Sequence, residues 1–463
     1  MASRNGRRPI RVVSPGGSLG YGVNADSLQR AVAAGLDVIG ADSGSTDMGA
    51  YYLGSGKPYH SRATMKRDIS LILEAGLANG LPVLIGNAGG AGGDPHLQWA
   101  REIIEEIARE KGLSFKLALV HSQQDPSYLH ARLQAGKVQP MPGVPELTAE
   151  KIDACERIVG QMGVEPFIAA MEQGAQVVLA GRACDSAIFA AYPVQQGIDP
   201  GPALHMGKIL ECGAMSANPP TGRDCLMALV ESDHFEIVAP NPAREVTPFS
   251  VAAHMVYEVE HPYLQGEPTG VLDFSEVAFE ETGRRSTRVS GTAFHVHERP
   301  TIRFEGAERV GFRSIVLGGI RDPFLIAKLD EYIAGCTEQT LDLAGRPEGV
   351  QLSWVVYGRD GVMGEMEPLR DAPLHEVGIL GQVLGPTQEA AHDVAALLEA
   401  RMIGYTYSGA KTRTAHVAFP FSPLVNDTGP VYKFSVLHVA ELADPSELTG
   451  LFPIDYVQVG GRA

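Results

Sequence analysis

Through the first half of the chain, short apolar runs alternate with segments of helical period. Ile10-Arg11-Val12-Val13-Ser14, Leu36 to Ile39, Leu81 to Ile85, Lys116 to Val120 and Gln176 to Ala180 read as strands. Between them, Ala25 to Ala34, Thr64 to Asn79 and His96 to Lys111 place apolar residues three and four apart, as on one helix face. A further helix is expected after Thr148, with Ile152, Cys155, Ile158, Val159 and Met162 on one side. Such alternation predicts a mostly parallel sheet covered on both faces. From Glu231 to Leu317 the period shortens to two, as in Phe235-Glu236-Ile237-Val238 and Ala293-Phe294-His295-Val296-His297, which predicts a β-rich module. A helix over Asp322 to Ile333, strands at Val350 to Tyr357 and Glu376 to Leu384, a helix from Thr387 to Arg401 and a strand at Val431 to Val439 predict an α+β ending. The expected domains are 1–230, 231–345 and 346–463.

The polar residues gather where the strands end, and ligands of open α/β sheets bind at carboxyl ends of strands. The second strand runs into Gly40-Ala41-Asp42-Ser43-Gly44-Ser45-Thr46-Asp47. Asp42 and Asp47 are candidate acid–base groups, and Ser43, Ser45 and Thr46 are candidate substrate contacts. The third opens into Asn87-Ala88-Gly89-Gly90-Ala91-Gly92-Gly93, where Asn87, Gly89 and Gly90 would let a carboxylate, phosphate or carbonyl approach the backbone. His121, a candidate base, ends the fourth strand. Arg182, able to hold a carboxylate with two parallel bonds, follows the fifth and leads to Asp185, a catalytic candidate at a helix N-terminus. Glu211 is a further acid–base candidate. Each has a plainer structural role open to it: turn-capping acids and hydroxyls, a flexible glycine connection, a hydrogen-bonded histidine, an Arg182–Asp185 pair, a solvated Glu211.

Several function classes are set aside by pattern and charge. Gly17, Gly20 and Gly22 are spaced GxxGxG rather than GxGxxG, and no Walker lysine follows, which disfavours a nucleotide fold. The net charge of −17, from 38 basic and 55 acidic residues, argues against a nucleic-acid or anionic-membrane surface. The five scattered cysteines form no CxxC pair and suggest neither disulfide framework nor structural zinc. His295 and His297 share a strand face but lack an evident third ligand. With no signal-peptide core after the basic residues 1–8 and no membrane-length apolar run, the sequence reads as a soluble, cytoplasmic protein.

His205-Met206-Gly207-Lys208-Ile209-Leu210-Glu211-Cys212-Gly213-Ala214, together with Val178 to Ser186, Asn87-Ala88-Gly89-Gly90 and the late Ala418-Phe419-Pro420-Phe421-Ser422-Pro423, resembles the acyclic terpene utilisation (AtuA-like) family. The resemblance implies a catabolic protein with an N-terminal α/β domain and a C-terminal ferredoxin-like α+β region, acting on branched acids or their CoA esters. The expected fold class is thus α/β: a mostly parallel Rossmann-like sheet, then β-rich and ferredoxin-like regions. The expected function is a lyase or hydratase working by acid–base chemistry on a small branched carboxylate or acyl-CoA. A hydrolase with a Ser43, Ser45 or Thr46 nucleophile and a non-catalytic ligand-binding subunit remain alternatives. No cofactor is identified; a divalent metal at the strand-end acids stays open. The expected partner is the small carboxylate or acyl-CoA itself, and the chain is expected to form a homo-oligomer.

Overall fold

A computed structural model describes residues 8–257, 259, 261–414, 416–444 and 447–461. The chain divides into two compact units, residues 1–308 with 434–463, and residues 309–433.

The first unit is built on a ten-stranded sheet. Its strands run in the order Ala278–Gly283, Ser286–Ser290, His234–Val238, Leu226–Val230, Ile10–Ser14, Val38–Asp42, Val83–Gly86, Val177–Ala180, Phe115–Val120 and Ile454–Val459. The five from Ile10–Ser14 to Phe115–Val120 are mutually parallel. They are the five apolar runs of the first half of the sequence. The strands flanking them pair antiparallel, so the sheet is mixed rather than mostly parallel. The central strands are buried on both faces, hence their unbroken apolar character. One face packs Ile69, Ile72, Ile103, Ile104 and Ile107. The other packs Phe189, Met206, Ile209 and Leu210.

The helix expected after Thr148 stops at Asp153, and Cys155–Gly160 is instead a strand. It pairs antiparallel with Phe304 to Glu308. Here β-branched Ile158 and Val159 take a ladder supplied by a distant segment, so tertiary pairing overrides the helical spacing. A small three-stranded sheet joins Leu264–Glu267, Gly270–Asp273 and Ala293–Val296.

In the second unit, Phe312 to Ile320 pairs antiparallel with Val377–Gly385, whose other edge takes Gln351–Tyr357. Tyr332, Cys336, Ala391, Val394 and Leu398, from the helices Leu329–Leu343 and Gln388–Gly404, belong to the core of this unit. The single helix expected over Asp322 to Ile333 is two, Pro323–Ile326 and Leu329–Leu343. Among the described residues, no helix is long and apolar enough to cross a membrane.

Candidate functional site

Three of the strand-end loops meet on one side chain, Asn87. Its φ of +53° is left-handed, a conformation that asparagine tolerates better than most residues. The buried amide makes four hydrogen bonds. Nδ2 donates to Asp42 Oδ1 at 2.8 Å and to Asp185 Oδ1 at 2.7 Å. Oδ1 accepts from Arg182 Nη1 at 3.0 Å and from the Ala183 amide at 2.9 Å. The bonds hold the acid of one loop, the acid of another and the arginine together, and they offset the backbone strain.

Arg182 is almost fully buried and engaged on every side. Nε donates to Glu305 Oε2 at 3.0 Å, Nη2 to Glu305 Oε1 at 3.4 Å, and Nη1 reaches Asp185 Oδ1 at 3.5 Å. Thr46 Oγ1 donates to the same Glu305 Oε2 at 2.8 Å, and Arg303 Nη2 lies 3.1 Å from Oε1. Burial pushes the Glu305 carboxyl up, but the Arg182 and Arg303 charges pull harder and hold it below the ordinary range. The two parallel bonds foreseen from Arg182 to a substrate go to Glu305 instead.

The glycine-rich loop packs against the protein's own backbone. A Cβ on Gly92, whose φ is +72°, would lie 2.2 Å from the Arg182 amide nitrogen. Ser122 fastens this approach, donating to the Gly92 carbonyl at 2.8 Å and accepting from the Arg182 amide at 2.7 Å. Gly89 and Gly90 likewise lie against His96 and Tyr59. Gly92→Ala is expected to cost about 1–3 kcal/mol for the left-handed backbone alone, with the clash adding to it. Urea unfolding checks this; an unchanged midpoint would show that the loop relaxes freely.

A cleft of about 530 Å³ opens in front of this network, within the first unit. Asp47, Arg182, Asp185, Lys208 and Glu211 line it, joined by Cys184, Ser186, Glu267, His297 and Arg303. Lys208 Nζ is 2.6 Å from Glu211 Oε1, three residues along the same helical turn, and this pair is buried rather than solvated. Burial favours the neutral amine, but Glu211 outweighs it and raises the Lys208 pKa. Asp47 is exposed at the rim and accepts from Ser45 Oγ at 2.6 Å. Ser43 is buried, its amide bonded to the Gly86 carbonyl.

Glu267, at the end of the strand Leu264–Glu267, was not singled out from the sequence, where it is one acid in a polar loop region. It is 5% exposed. It accepts from Cys184 Sγ at 3.1 Å, Ser186 Oγ at 3.0 Å and Gln265 Nε2 at 3.0 Å. Burial raises its pKa to about 7, the three donors and Lys208 offsetting only part of that rise. Asp185, 29% exposed by side chain, is raised by burial, with Arg182 and Asn87 opposing.

Asp42 sits behind Asn87 and does not line the cleft. Burial, and then the charge of Asp185, hold its pKa well above the ordinary range. A raised folded pKa contributes stability below the unfolded value of about 3.9, and that contribution is lost as pH rises through the folded pKa. The stability of the wild type relative to Asp42→Asn is therefore expected to fall as pH increases from 4 to 8 in paired thermal melts. A constant difference would mean Asp42 titrates normally. His121 is also outside the cleft lining, between Asp94 at 2.8 Å and Asp455 at 3.3 Å. The Asp94 bond raises its pKa, which favours a held proton over a free base. Among the described residues, no group of three or more His, Cys, Asp or Glu is placed to hold a metal ion.

A mixed sheet whose parallel strands end in a polar cleft lined by acids and buried cations defines an α/β protein with a candidate small-molecule site. The chain belongs to the acyclic terpene utilisation family, AtuA, whose pattern it matches over residues 10–219 and 236–422. No curated protein and no solved structure matches it.

Proposed function

We propose that this member of the acyclic terpene utilisation family is a catabolic lyase or hydratase, acting in the cleft on a small branched carboxylate or its acyl-CoA ester. The observation that carries the reading is the convergence of Glu267 and Asp185 with Lys208 and Arg303 on one volume. Proton removal beside a carbonyl needs a base whose pKa lies near the working pH, and a cation where the enolate oxygen develops. Glu267 meets the first requirement and Lys208 or Arg303 the second. Asp185 returns a proton or delivers one to a leaving hydroxyl, a role that its position in the cleft lining supports. Asn87 and Asp42 act behind it as positioning residues.

The hydrolase alternative draws less support from its original nucleophiles. Ser45 Oγ donates to Asp47 and Thr46 Oγ1 to Glu305, so both hydroxyls serve the loop that carries them.

Incubation of the protein in deuterated buffer with a panel of short branched acids and their CoA esters tests the reading. Deuterium entering beside the carbonyl, or water adding across a double bond, is the expected result. Release of free acid and CoA with no deuterium incorporation would replace the lyase reading with the hydrolase one.

A further inference from the structure

The cleft also holds a nucleophile, a base and a third group that orients the base. Cys184 lines the cleft and is partly exposed, at the N-cap of the helix Asp185–Gln195. Its Sγ is 3.1 Å from Glu267 Oε2 and 3.3 Å from Ser186 Oγ. Ser186 Oγ reaches both Glu267 oxygens, at 3.1 and 3.0 Å, and Gln265 Nε2 bonds Oε1 at 3.0 Å. The carboxylate is thereby locked with one oxygen on the thiol. This is the arrangement that activates a weak nucleophile: nucleophile and base within hydrogen-bond reach, the base fixed by a further contact. Ser186 is 1% exposed, and Cys184 is the more exposed of the two. The first amides of an α-helix have no acceptor within the helix. Those of Asp185 and Ser186 follow Cys184 directly and are suited to an oxyanion formed beside Sγ.

We propose that Cys184 takes the acyl group of a thioester substrate, forming a covalent acyl-cysteine in the cleft. The proposal rests on the reading that this cleft handles acyl thioesters. Glu267 removes the Cys184 proton as Sγ attacks the thioester carbonyl. The carbonyl electron pair moves to oxygen and returns, the bond from carbon to the leaving sulfur breaks, and Glu267 passes its proton to that sulfur. One thioester and one thiol become another thioester and another thiol, with no oxidant or reductant required. Burial and the charges of Glu267 and Asp185 hold the Cys184 thiol protonated at neutral pH. Deprotonation therefore has to accompany attack, and the adjacent base supplies that step. Thioesters are the substrate class this chemistry favours. The leaving group is itself a thiol, which departs with the single proton that Glu267 returns, whereas an amide nitrogen is far more basic and would need a stronger acid to leave. Glu267 ends the exchange ionised and ready to act on the tethered acyl group.

The test uses the full chain with two probes, 3-methylbutanoyl-CoA and its truncated N-acetylcysteamine thioester. Rapid acid quench, intact-mass measurement and peptide mapping are combined with the deuterium-exchange measurement above. The expected result is a mass gain of one acyl group less one hydrogen, mapped to Cys184, with one thiol released per chain. Cys184→Ser and Glu267→Gln should each reduce adduct formation by at least tenfold, with folding of each variant verified by circular dichroism. Exchange without an adduct, retained in Cys184→Ser, would overturn covalent tethering and leave the acid–base reading standing. An adduct without exchange would do the reverse. Neither signal with either probe would overturn both.

Discussion

Glu267→Gln is expected to lower turnover by about 10²–10⁴-fold, the usual worth of a positioned acid–base group, while the protein stays folded. Glutamine preserves the shape of the side chain and can still meet Ser186 and Gln265, but it cannot carry the proton. In the wild type, turnover as a function of pH should rise through about 7, because the ionised form is the base and burial has moved its pKa there. The variant should lose that step. Both measurements are made on whichever substrate shows deuterium exchange. Full turnover with an unaltered pH profile would reduce Glu267 to a buried structural acid that merely holds Cys184 and Ser186.

Arg182→Met is expected to destabilise the protein by about 3–5 kcal/mol, the cost of removing one partner of a buried ion pair. Glu305, with no side-chain exposure, would keep Arg303 but lose the closer of its two arginines, and Asn87 Oδ1 would lose a donor. The double variant Arg182→Met with Glu305→Leu should recover a large part of that loss, since the stranded charge is gone. Urea unfolding of the two single variants and the double supplies the comparison. If Arg182→Met weakened substrate binding without loss of stability, the arginine would be a substrate clamp and its pairing with Glu305 incidental. The conservative Arg182→Lys keeps the charge but not the fork that spans both Glu305 oxygens, so it too should act mainly on stability.

The apolar runs ending near Ser14, Asp42, Gly86, Val120 and Ala180 determined the five parallel strands. Their continuous hydrophobic character has one physical explanation, burial on both faces, and no distant partner was needed to read it. Asp42, Asn87 and Arg182 were legible for the same reason: polar residues directly after buried strands sit at one edge of the sheet. What those residues do to one another was not legible. Arg182 and Asp185 are close in sequence, but the dominant partner of Arg182 is Glu305, 123 residues away. Glu267 reaches Cys184 and Ser186 from the small antiparallel sheet, a meeting that no local spacing encodes. The Lys208–Glu211 pair was visible as a spacing of three, yet its burial was not. Cys155–Gly160 shows the limit most plainly: helical spacing in sequence, strand in the fold, because Phe304 to Glu308 supplied the ladder. Local pattern determined which segments are buried and where the chain turns. Only the tertiary structure decided which charges share a low-dielectric space, and it is that sharing which shifts their pKa values and decides between ion pair and acid–base group.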